Sequence, residues 1–295
     1  MPQFTIAFLG FGEAGSTLAA GLRSAGVTRI VAYDINAASP THGPLIQQRA
    51  RDTGAELVDD NRALADGADI LFSTVTSSSA LDAARQTAPF LAARHLYADL
   101  NSVSPTLKKA IADVVAPTRA RFVEVAVMAP VQPYGHRVPM LAGGAAAAQL
   151  AEAMTPFGMR VEVLGTETIG SAAAVKMCRS IVVKGLEALL AECVLGASRF
   201  DADALVFASL EESYPGIDWK KLADYTMGRV VVHGERRARE MEEVADTLRS
   251  IGVEPIMAAA TARRQQWSAD LQLRSRFGPE GPRTYREVLD AIGGD

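Results

Sequence analysis

Short apolar runs alternate with helical stretches through the first half of the chain. The runs occupy residues 5–9, 30–33, 70–75, 96–98 and 122–125. This rhythm predicts parallel strands joined by crossover helices. Over residues 172–195 a long helical pattern follows without a turn signal, and no convincing strand pattern comes after it. The chain is therefore predicted to be α/β, with a doubly wound, mainly parallel sheet followed by an all-helical C-terminal domain.

A polar stretch flanked by two glycines marks the predicted domain boundary. Gly165 and Gly170 enclose residues 166–168, immediately before the long helical pattern begins. Glycines around polar residues are typical of a loop between elements. A chain of 295 residues is long enough to form two domains. We expect one domain over 1–165 and a helical domain for substrate binding and dimerisation over 166–295.

The first strand runs directly into a glycine-rich turn. Gly10 permits a tight turn, Gly12 allows the backbone to approach a pyrophosphate, and Gly15 allows close helix packing. A helix follows from Ser16, and its N-terminal amides suit phosphate groups. Strand, turn and helix together predict a Rossmann domain for a nicotinamide dinucleotide. The cofactor-binding residues predicted here are Gly10, Phe11, Gly12, Glu13, Ala14 and Gly15, together with Thr76 after the strand at 70–75.

An aspartate ends the second strand. Asp34 follows residues 30–33, where a carboxylate accepts hydrogen bonds from the adenosine ribose hydroxyls and repels a 2′-phosphate. This favours NAD as the cofactor. NADP stays open, because Asn36 and Arg49 in the following loop could contribute to a phosphate site. The alternative is a glycine-rich turn with an unrelated surface aspartate.

The long helix is apolar nearly all round, apart from one polar stripe. At 100° per residue its polar side chains fall within an arc of roughly 140°; they are Lys176, Arg179, Ser180, Lys184 and Glu187. A buried lysine is costly unless it is paired or faces a polar cavity, so the stripe is expected to line a cleft. There a lysine could act as acid and base toward a hydroxyl or carbonyl while hydride moves to or from the nicotinamide. The alternative is that Lys176 and Lys184 form salt bridges along a subunit interface.

Charge and composition exclude several classes of function. A net charge of −4 argues against a nucleic-acid surface. No apolar run reaches membrane-spanning length and no charged leader precedes the first strand, so a cytoplasmic protein is expected. Cys178 and Cys193, in apolar helical context, are predicted to be buried thiols in a reducing compartment. His42, His95 and His136 have no metal-ligand spacing around them, and no metal is predicted.

Four stretches resemble the β-hydroxyacid dehydrogenase family, which includes 3-hydroxyisobutyrate and 6-phosphogluconate dehydrogenases. They are the glycine turn; residues 99–105, similar to D-x-S-T-x-x-P; residues 122–130 with Gly143-Gly144; and residues 170–176, similar to G-x-G-x-x-x-K with Ala172 in place of the second glycine. The resemblance implies a general acid/base role for Lys176. It also implies a Rossmann domain before an all-helical domain, and a dimer or larger assembly.

The chain departs from the family pattern at positions that contact substrate. Ser180, preceded by Arg179, replaces the asparagine four residues after the lysine. Residues 124–130 occupy the position of the family's substrate-binding loop, D-x-P-V-S-G-G. Met128 and Pro130 lie where the family has small, flexible residues. The K-D-L-x-x-A segment is not recognisable, and residues 233–241 resemble instead an uncharacterised branch of 6-phosphogluconate-dehydrogenase-like proteins. The substrate is therefore left open.

A basic helix near the C-terminus offers a further candidate. Its inward face, defined by residues 241, 244, 245 and 248, also carries Arg237 and His233. An inward arginine can hold a carboxylate bidentately. The alternative is structural, since Arg236 and Arg239 are spaced for i,i+4 ion pairs with Glu240 and Glu243. Asn101 is predicted to border the nicotinamide, and the predicted substrate contacts are Ser102, Met128, Ala129, Arg179, His233 and Arg237.

Together these features and the resemblance predict reversible hydride transfer between nicotinamide and the carbinol carbon of a small hydroxy acid or related alcohol, with Lys176 moving the proton and Ser180 orienting the lysine. Two alternatives stay open. Imine reduction uses a similar scaffold but does not need this lysine. A dinucleotide-binding sensor would bind cofactor without turnover, but has no need of a proton donor in a cleft.

Overall fold

The computed structural model describes residues 4–278 and 280–293. The chain divides into two compact units, an N-terminal unit (Met1–Lys176) and a helical unit (Met177–Asp295). The division falls inside the long helix and not in the glycine-flanked stretch at 165–170. The first turn of that helix is hydrogen-bonded to Glu124 of the sheet, so it stays with the N-terminal unit.

The N-terminal unit contains one eight-stranded sheet in the order β3-β2-β1-β4-β5-β6-β7-β8. All neighbouring strands are parallel except β6 and β7, which are antiparallel. The mainly parallel α/β fold is thus confirmed. The strands are β1 (Ile6–Leu9), β2 (Ile30–Tyr33), β3 (Glu56–Leu57), β4 (Ile70–Ser73), β5 (Leu96–Asp99), β6 (Arg121–Val127), β7 (Pro139–Gly143) and β8 (Arg160–Val163).

Helices cover both faces of this sheet, which explains why its central strands are continuous apolar runs. Every residue of β1 and β4 is buried. Phe8 and Phe72 pack into the core on one face, while Leu71 and Tyr97 pack into the core on the other. The helices of this unit are α1 (Glu13–Ser24), α2 (Gly43–Thr53), α3 (Asn61–Asp66), α4 (Ala80–Thr87), α5 (Pro105–Val115), α6 (Val131–Tyr134) and α7 (Ala147–Met154).

The C-terminal part of the chain is helical, as predicted. The long helix α8 (Ser171–Ser198) passes from the N-terminal unit into the helical unit. It is followed by α9 (Asp203–Ser213), α10 (Trp219–Ser250), α11 (Ile256–Asp270) and α12 (Tyr285–Gly293). Across the described part of the helical unit there is no strand. None of the described helices combines the length and apolar character needed to cross a membrane.

Candidate functional site

A cavity of about 720 Å³ opens at the carboxyl ends of β1, β2 and β4. The strand order reverses beside β1, and ligands of open α/β sheets bind at such a point. The cavity lies wholly within the N-terminal unit. Six of the predicted cofactor residues line it: Gly10, Gly12, Glu13, Ala14, Asp34 and Thr76.

The glycine turn is fixed by close packing at two positions and is open at a third. Gly10 has φ +87°, and a Cβ there would lie 2.9 Å from the carbonyl oxygen of Thr74. A Cβ on Gly15 would lie 2.7 Å from the carbonyl oxygen of Gly10. A Cβ on Gly12 would meet nothing within 4 Å. The turn therefore packs tightly against the sheet while Gly12 leaves its outer side clear.

Helix α1 begins without a side-chain cap. Its N-cap residue is Gly12, and no side chain accepts a hydrogen bond there. The first amides of a helix carry partial positive charge and suit a phosphate group. Glu13 and Ala14, at the start of this helix, both line the cavity. Phe11 does not line the cavity, and its ring is fully buried in the core.

Asp34 connects the glycine turn to the loop after β2. Its Oδ2 accepts a hydrogen bond from the amide of Phe11 at 2.7 Å, and its Oδ1 accepts one from the amide of Asn36 at 2.9 Å. The carboxylate is thereby held at the edge of the cavity. An uncapped helix start, a fixed carboxylate and a cavity of ligand size fit a dinucleotide with its pyrophosphate at α1 and its adenosine ribose at Asp34.

The hydroxyl-rich segment after β4 also lines the cavity and was missed by sequence reasoning. Thr74, Ser78 and Ser79 line the cavity beside the predicted Thr76. The Oγ1 of Thr74 donates to the carbonyl oxygen of Gly10 at 2.7 Å, which joins this segment to the glycine turn. A signal was present, because β4 neighbours β1 at the reversal of strand order and ligands bind beyond the carboxyl ends of such strands.

Asn101 and Ser102 lie in the loop between β5 and α5. Asn101 is 4% exposed, and its Nδ2 donates to the Oγ of Ser73 at 2.8 Å. The backbone N–H of Asn101 donates to Oδ1 of Asp99 at 2.9 Å. Ser102, the next residue, is exposed. Asn101 does not line the cavity described above, so its predicted place beside the nicotinamide stays a prediction.

Behind this loop lies a buried charge pair that sequence reasoning missed. The Nζ of Lys108 lies 3.3 Å from Oδ2 of Asp99, with the two side chains 1% and 0% exposed. The same Nζ donates to the carbonyl oxygen of Asp99 at 2.7 Å. Burial lowers the pKa of Lys108, and the charges of Asp99 and Glu124 oppose that shift. The pair fixes the start of the Asn101 loop.

The predicted substrate loop continues from β6. Met128 is half-buried, and its amide donates to the carbonyl oxygen of Pro139 at 2.9 Å. Ala129, also half-buried, packs against the core of the sheet. Lys176, the predicted acid/base, is half-buried in the second turn of α8 and is the last residue of the N-terminal unit.

The rest of the polar stripe belongs to the helical unit, and two of its members, Lys184 and Glu187, are ion-paired there. Arg179 is exposed, and the Oγ of Ser180 accepts a hydrogen bond from Lys184 at 3.1 Å. The Nζ of Lys184 also lies 2.8 Å from Oε2 of Glu240 on α10. These contacts favour the salt-bridge alternative for Lys184, with the partner supplied by the same chain. The expectation that Lys184 lines a cleft stays a prediction.

Arg237 is inward, as predicted, but its guanidinium binds a carboxylate of the protein itself. Its Nη1 donates to Oε2 of Glu187, which also accepts from Nε2 of Gln265 at 3.3 Å. The Arg237 and Glu187 side chains are 6% and 3% exposed. This placement favours a structural role for Arg237, because its side chain is almost fully buried against Glu187; the predicted substrate contact stays a prediction.

His233 lies one turn before Arg237 and is half-buried. Burial, with the nearby charges of Arg229 and Arg236, lowers its pKa to about 4. The imidazole is therefore neutral near pH 7. It can hydrogen-bond a ligand but cannot attract an anion through charge.

Two further expectations change on the surface of these helices. Arg236 pairs with Glu240 at 3.1 Å as expected, while Arg239 pairs with Glu235 at 2.6 Å. Cys178 is exposed and not buried, because it lies on a face of α8 that no described residue covers. Among the residues that the structure describes, no group of three or more His, Cys, Asp or Glu side chains is arranged to hold a metal ion.

Comparison with known proteins agrees with this geometry. Residues 5–165 match the family described as "NAD binding domain of 6-phosphogluconate dehydrogenase", and residues 197–268 match a domain of unknown function, DUF1932. A conserved hypothetical protein from Sinorhizobium meliloti 1021 has 36% identity and a TM-score of 0.82, covering 99% of this chain and 96% of that one. The protein MTH1747, described as structurally similar to 3-hydroxyacid dehydrogenases, has 31% identity and a TM-score of 0.76 over 90% of this chain and 97% of that one.

A more distant structure shares the fold alone. Mycobacterium tuberculosis 3-hydroxyisobutyrate dehydrogenase, solved with L-serine, has 16% identity and a TM-score of 0.76 over 99% of this chain and all of that one. Its match extends through both units. The chain therefore belongs to the family described as "NAD binding domain of 6-phosphogluconate dehydrogenase", and it is an NAD(P)-binding, hydroxyacid-dehydrogenase-like protein.

Proposed function

We propose that the protein is a dehydrogenase that oxidises a small hydroxy acid or related alcohol, or reduces the corresponding carbonyl compound. The observation that carries this proposal is the cavity at the glycine turn, where α1 begins uncapped beside the fixed carboxylate of Asp34. The bound cofactor supplies a nicotinamide that accepts or donates hydride. The chain's own residues hold that cofactor and move the proton.

Lys176 is the proposed acid and base. Its amine would take the hydroxyl proton during oxidation and return it during reduction. Support comes from its half-buried place in the second turn of α8 and from the resemblance of residues 170–176 to the catalytic segment G-x-G-x-x-x-K, with Ala172 in place of the second glycine. Ser180 is proposed to orient the lysine, and Ser102, Met128 and Ala129 to contact substrate.

The test is a turnover screen combined with substitution of the lysine. A panel of 3-hydroxy acids that includes 3-hydroxyisobutyrate and L-serine is assayed with NAD and NADP, and cyclic imines are assayed with the reduced cofactors. Lys176→Ala is expected to lower kcat by about 10³-fold, within the range of general acid–base catalysis. Cofactor affinity should stay unchanged, and Lys176→Arg serves as the matched control that keeps the charge but cannot accept a proton.

Three outcomes contradict the proposal. Full turnover by Lys176→Ala removes the role of the lysine. Turnover of imines but not hydroxy acids favours imine reduction. Tight cofactor binding without turnover across both panels favours a sensor.

We further propose that NAD is preferred over NADP. A 2′-phosphate would approach the carboxylate of Asp34, whose position is fixed by two amides. Thermal shifts with NADH and NADPH at equal concentration test this, since a ligand that binds the folded state raises its apparent stability. A larger shift with NADPH would reverse the assignment and implicate Arg49, which also lines the cavity.

We also propose a homodimer or larger assembly. Val182 and Leu189, seven residues apart on α8, are 70% and 57% exposed. Two large apolar side chains on one face of a long helix suit contact with a second copy. Light scattering after gel filtration should show at least a dimer, and Val182→Lys with Leu189→Lys should shift it toward monomer. A monomeric wild type would contradict the proposal.

A further inference from the structure

The start of α8 is held by a carboxylate from the sheet. Glu124 lies on β6 and is fully buried. Its Oε1 accepts hydrogen bonds from the amides of Gly170 at 2.8 Å and Ala172 at 3.1 Å. Its Oε2 accepts one from the amide of Ala173 at 3.4 Å. One side chain thus satisfies three of the amides at the N-terminus of the helix.

This cap comes from far away in sequence, which is unusual. Most helices are capped by Ser, Thr, Asp or Asn at the N-cap position itself. Here that position is Gly170, whose carbonyl oxygen accepts the first intrahelical bond from Ala174 at 2.9 Å and which has no side chain to offer. The orientation of the first turn is therefore set by the sheet and not by the local sequence.

Close packing leaves this carboxylate little freedom. Gly143 on β7 lies directly opposite Glu124, and a Cβ on that glycine would lie 2.7 Å from the carboxylate Oε1. A Cβ on Gly170, which has φ +102°, would lie 3.0 Å from Cβ of Pro105, the first residue of α5. The start of α8 is therefore wedged between the carboxylate and the start of α5.

The buried charge is matched on both sides. The positive end of the α8 dipole faces the carboxylate through the three amides. On the other side, Lys108 of α5 lies close enough for its charge to interact with Glu124. Lys108 also pairs with Asp99, and its Nζ donates to the carbonyl oxygen of Val125, the residue after Glu124, at 3.5 Å.

We propose that Glu124 is a positioning residue for Lys176, an inference that rests on the acid/base role proposed above. Lys176 follows Ala173 by three residues, about 4.5 Å along the helix axis. With the first turn fixed on β6, the lysine projects from a rigid second turn. Without the cap the first turn frays, and a displacement of about 1 Å at a reacting group lowers turnover about 100-fold.

The variants are chosen to separate charge, length and general stability. Glu124→Gln keeps the size but points an NH2 donor at an amide that is itself a donor. Glu124→Asp keeps the charge on a shorter stem and is the conservative rescue. Asp218→Ala is the matched control, because Asp218 caps α10 in the helical unit by accepting from the amide of Lys221 at 2.8 Å.

Hydrogen exchange provides a readout that needs no substrate. In Glu124→Gln the amides of residues 172–176 should exchange at least about 10-fold faster than in the wild type, because the helix start opens locally. Asp218→Ala should leave these amides unchanged. Unchanged exchange at 172–176 in Glu124→Gln would overturn the proposal, since the cap would then not hold the turn.

Turnover is measured on the hydroxy acid from the screening panel that gives the wild type its largest kcat/KM. Glu124→Gln should lower kcat by about 30-fold or more while the dissociation constant for NADH stays within about twofold, because Glu124 lies outside the cofactor cavity. Glu124→Asp should recover part of the loss. A Glu124→Gln enzyme with wild-type kcat overturns the proposal.

A double-mutant cycle separates positioning from general destabilisation. In the Lys176→Ala background, Glu124→Gln should cause no further loss of kcat, since its effect passes through the lysine. An equal loss in both backgrounds would overturn the inference and leave Glu124 a structural residue. If Lys176→Ala is inactive and Glu124→Gln is fully active, only the positioning role of Glu124 is contradicted. If Lys176→Ala is active, the proposed function itself is contradicted.

Discussion

Two helices of the N-terminal unit begin in opposite ways. α1 starts at the glycine turn with no side-chain cap, and its first residues border an open cavity. α8 starts with three amides already bound to the buried carboxylate of Glu124. The same set of backbone donors is left available in one place and filled by the protein in the other.

The contrast shows how one backbone feature serves binding or positioning. An uncapped helix start gives up some stability, which an anionic ligand restores when it binds there. A helix start whose amides are bound by the protein itself gains rigidity but has fewer donors left for a ligand. In this protein the difference comes from one acidic side chain, Glu124, which binds the amides at the start of α8. Gly143 makes space for that side chain, because a Cβ there would lie 2.7 Å from its Oε1.

The largest expected effect comes from emptying the filled site. Glu124→Ala removes both carboxylate oxygens, and with them three hydrogen bonds, and leaves Lys108 with less compensating charge. We expect the N-terminal unit to lose about 4 kcal/mol of stability, as when one partner of a buried charged contact is removed. Urea unfolding followed by far-UV circular dichroism measures this loss of stability. A loss below about 1 kcal/mol would show that the cap contributes little to stability.

The next effect comes from filling the open site. Gly12 has extended backbone angles and space for a side chain, so Gly12→Asp should cap α1 much as Glu124 caps α8. Its charge would occupy the place of the pyrophosphate, and NADH affinity should fall about 100-fold, from like-charge repulsion at close range. Stability without ligand should rise by a few tenths of a kcal/mol.

Gly12→Asn is the matched control, since it caps similarly without charge. Calorimetric titration with NADH should show a clearly smaller loss of affinity for this variant. Equal losses for Gly12→Asp and Gly12→Asn would mean that bulk, and not charge, excludes the cofactor.

In the helical unit a titratable side chain, His233, is kept neutral near pH 7. Its folded pKa of about 4 lies below the unfolded value, so the unfolded chain binds more protons between pH 6.5 and pH 4. Stability should therefore fall as the pH is lowered through this window, by about 1–2 kcal/mol after allowance for solvent screening. Urea unfolding at several pH values should show a shallower dependence in His233→Asn, and identical slopes would contradict the assignment.

The smallest effect is expected at an ordinary exposed cap. Asp218→Ala removes the local cap of α10 and should cost about 1 kcal/mol, while Asp218→Asn should cost much less. Thermal unfolding of the two variants compares them directly. A loss at Asp218 as large as that at Glu124 would erase the distinction between a local cap and a remote one.

Local patterns explain what the sequence made predictable. β1, the glycine turn and Asp34 follow one another within a short segment, and the burial of β1 on both faces makes it a continuous apolar run. The long helix α8 was likewise visible from its uninterrupted pattern. The strands β3, β7 and β8 were missed because β3 has two residues, β7 begins with proline, and β8 is mostly exposed.

Contacts distant in sequence explain what was not predictable. Glu124 meets the start of α8 across 46 to 49 residues, and Arg237 meets Glu187 across 50. The periodicity of α8 or α10 does not indicate which distant residue will contact the helix. The inward side of Arg237 was predictable from the pattern, but the carboxylate of Glu187 that binds it was not, and its predicted contact with substrate stays a prediction.

The double use of Asp34 has a consequence for protein engineering. Both of its oxygens are bound by amides of different loops, so the residue that would select the cofactor is also a strut between those loops. An attempt to convert cofactor preference by replacing Asp34 with a small or basic residue would release both loops together. A successful redesign must first supply new acceptors for the amides of Phe11 and Asn36, and only then introduce a cation for the phosphate.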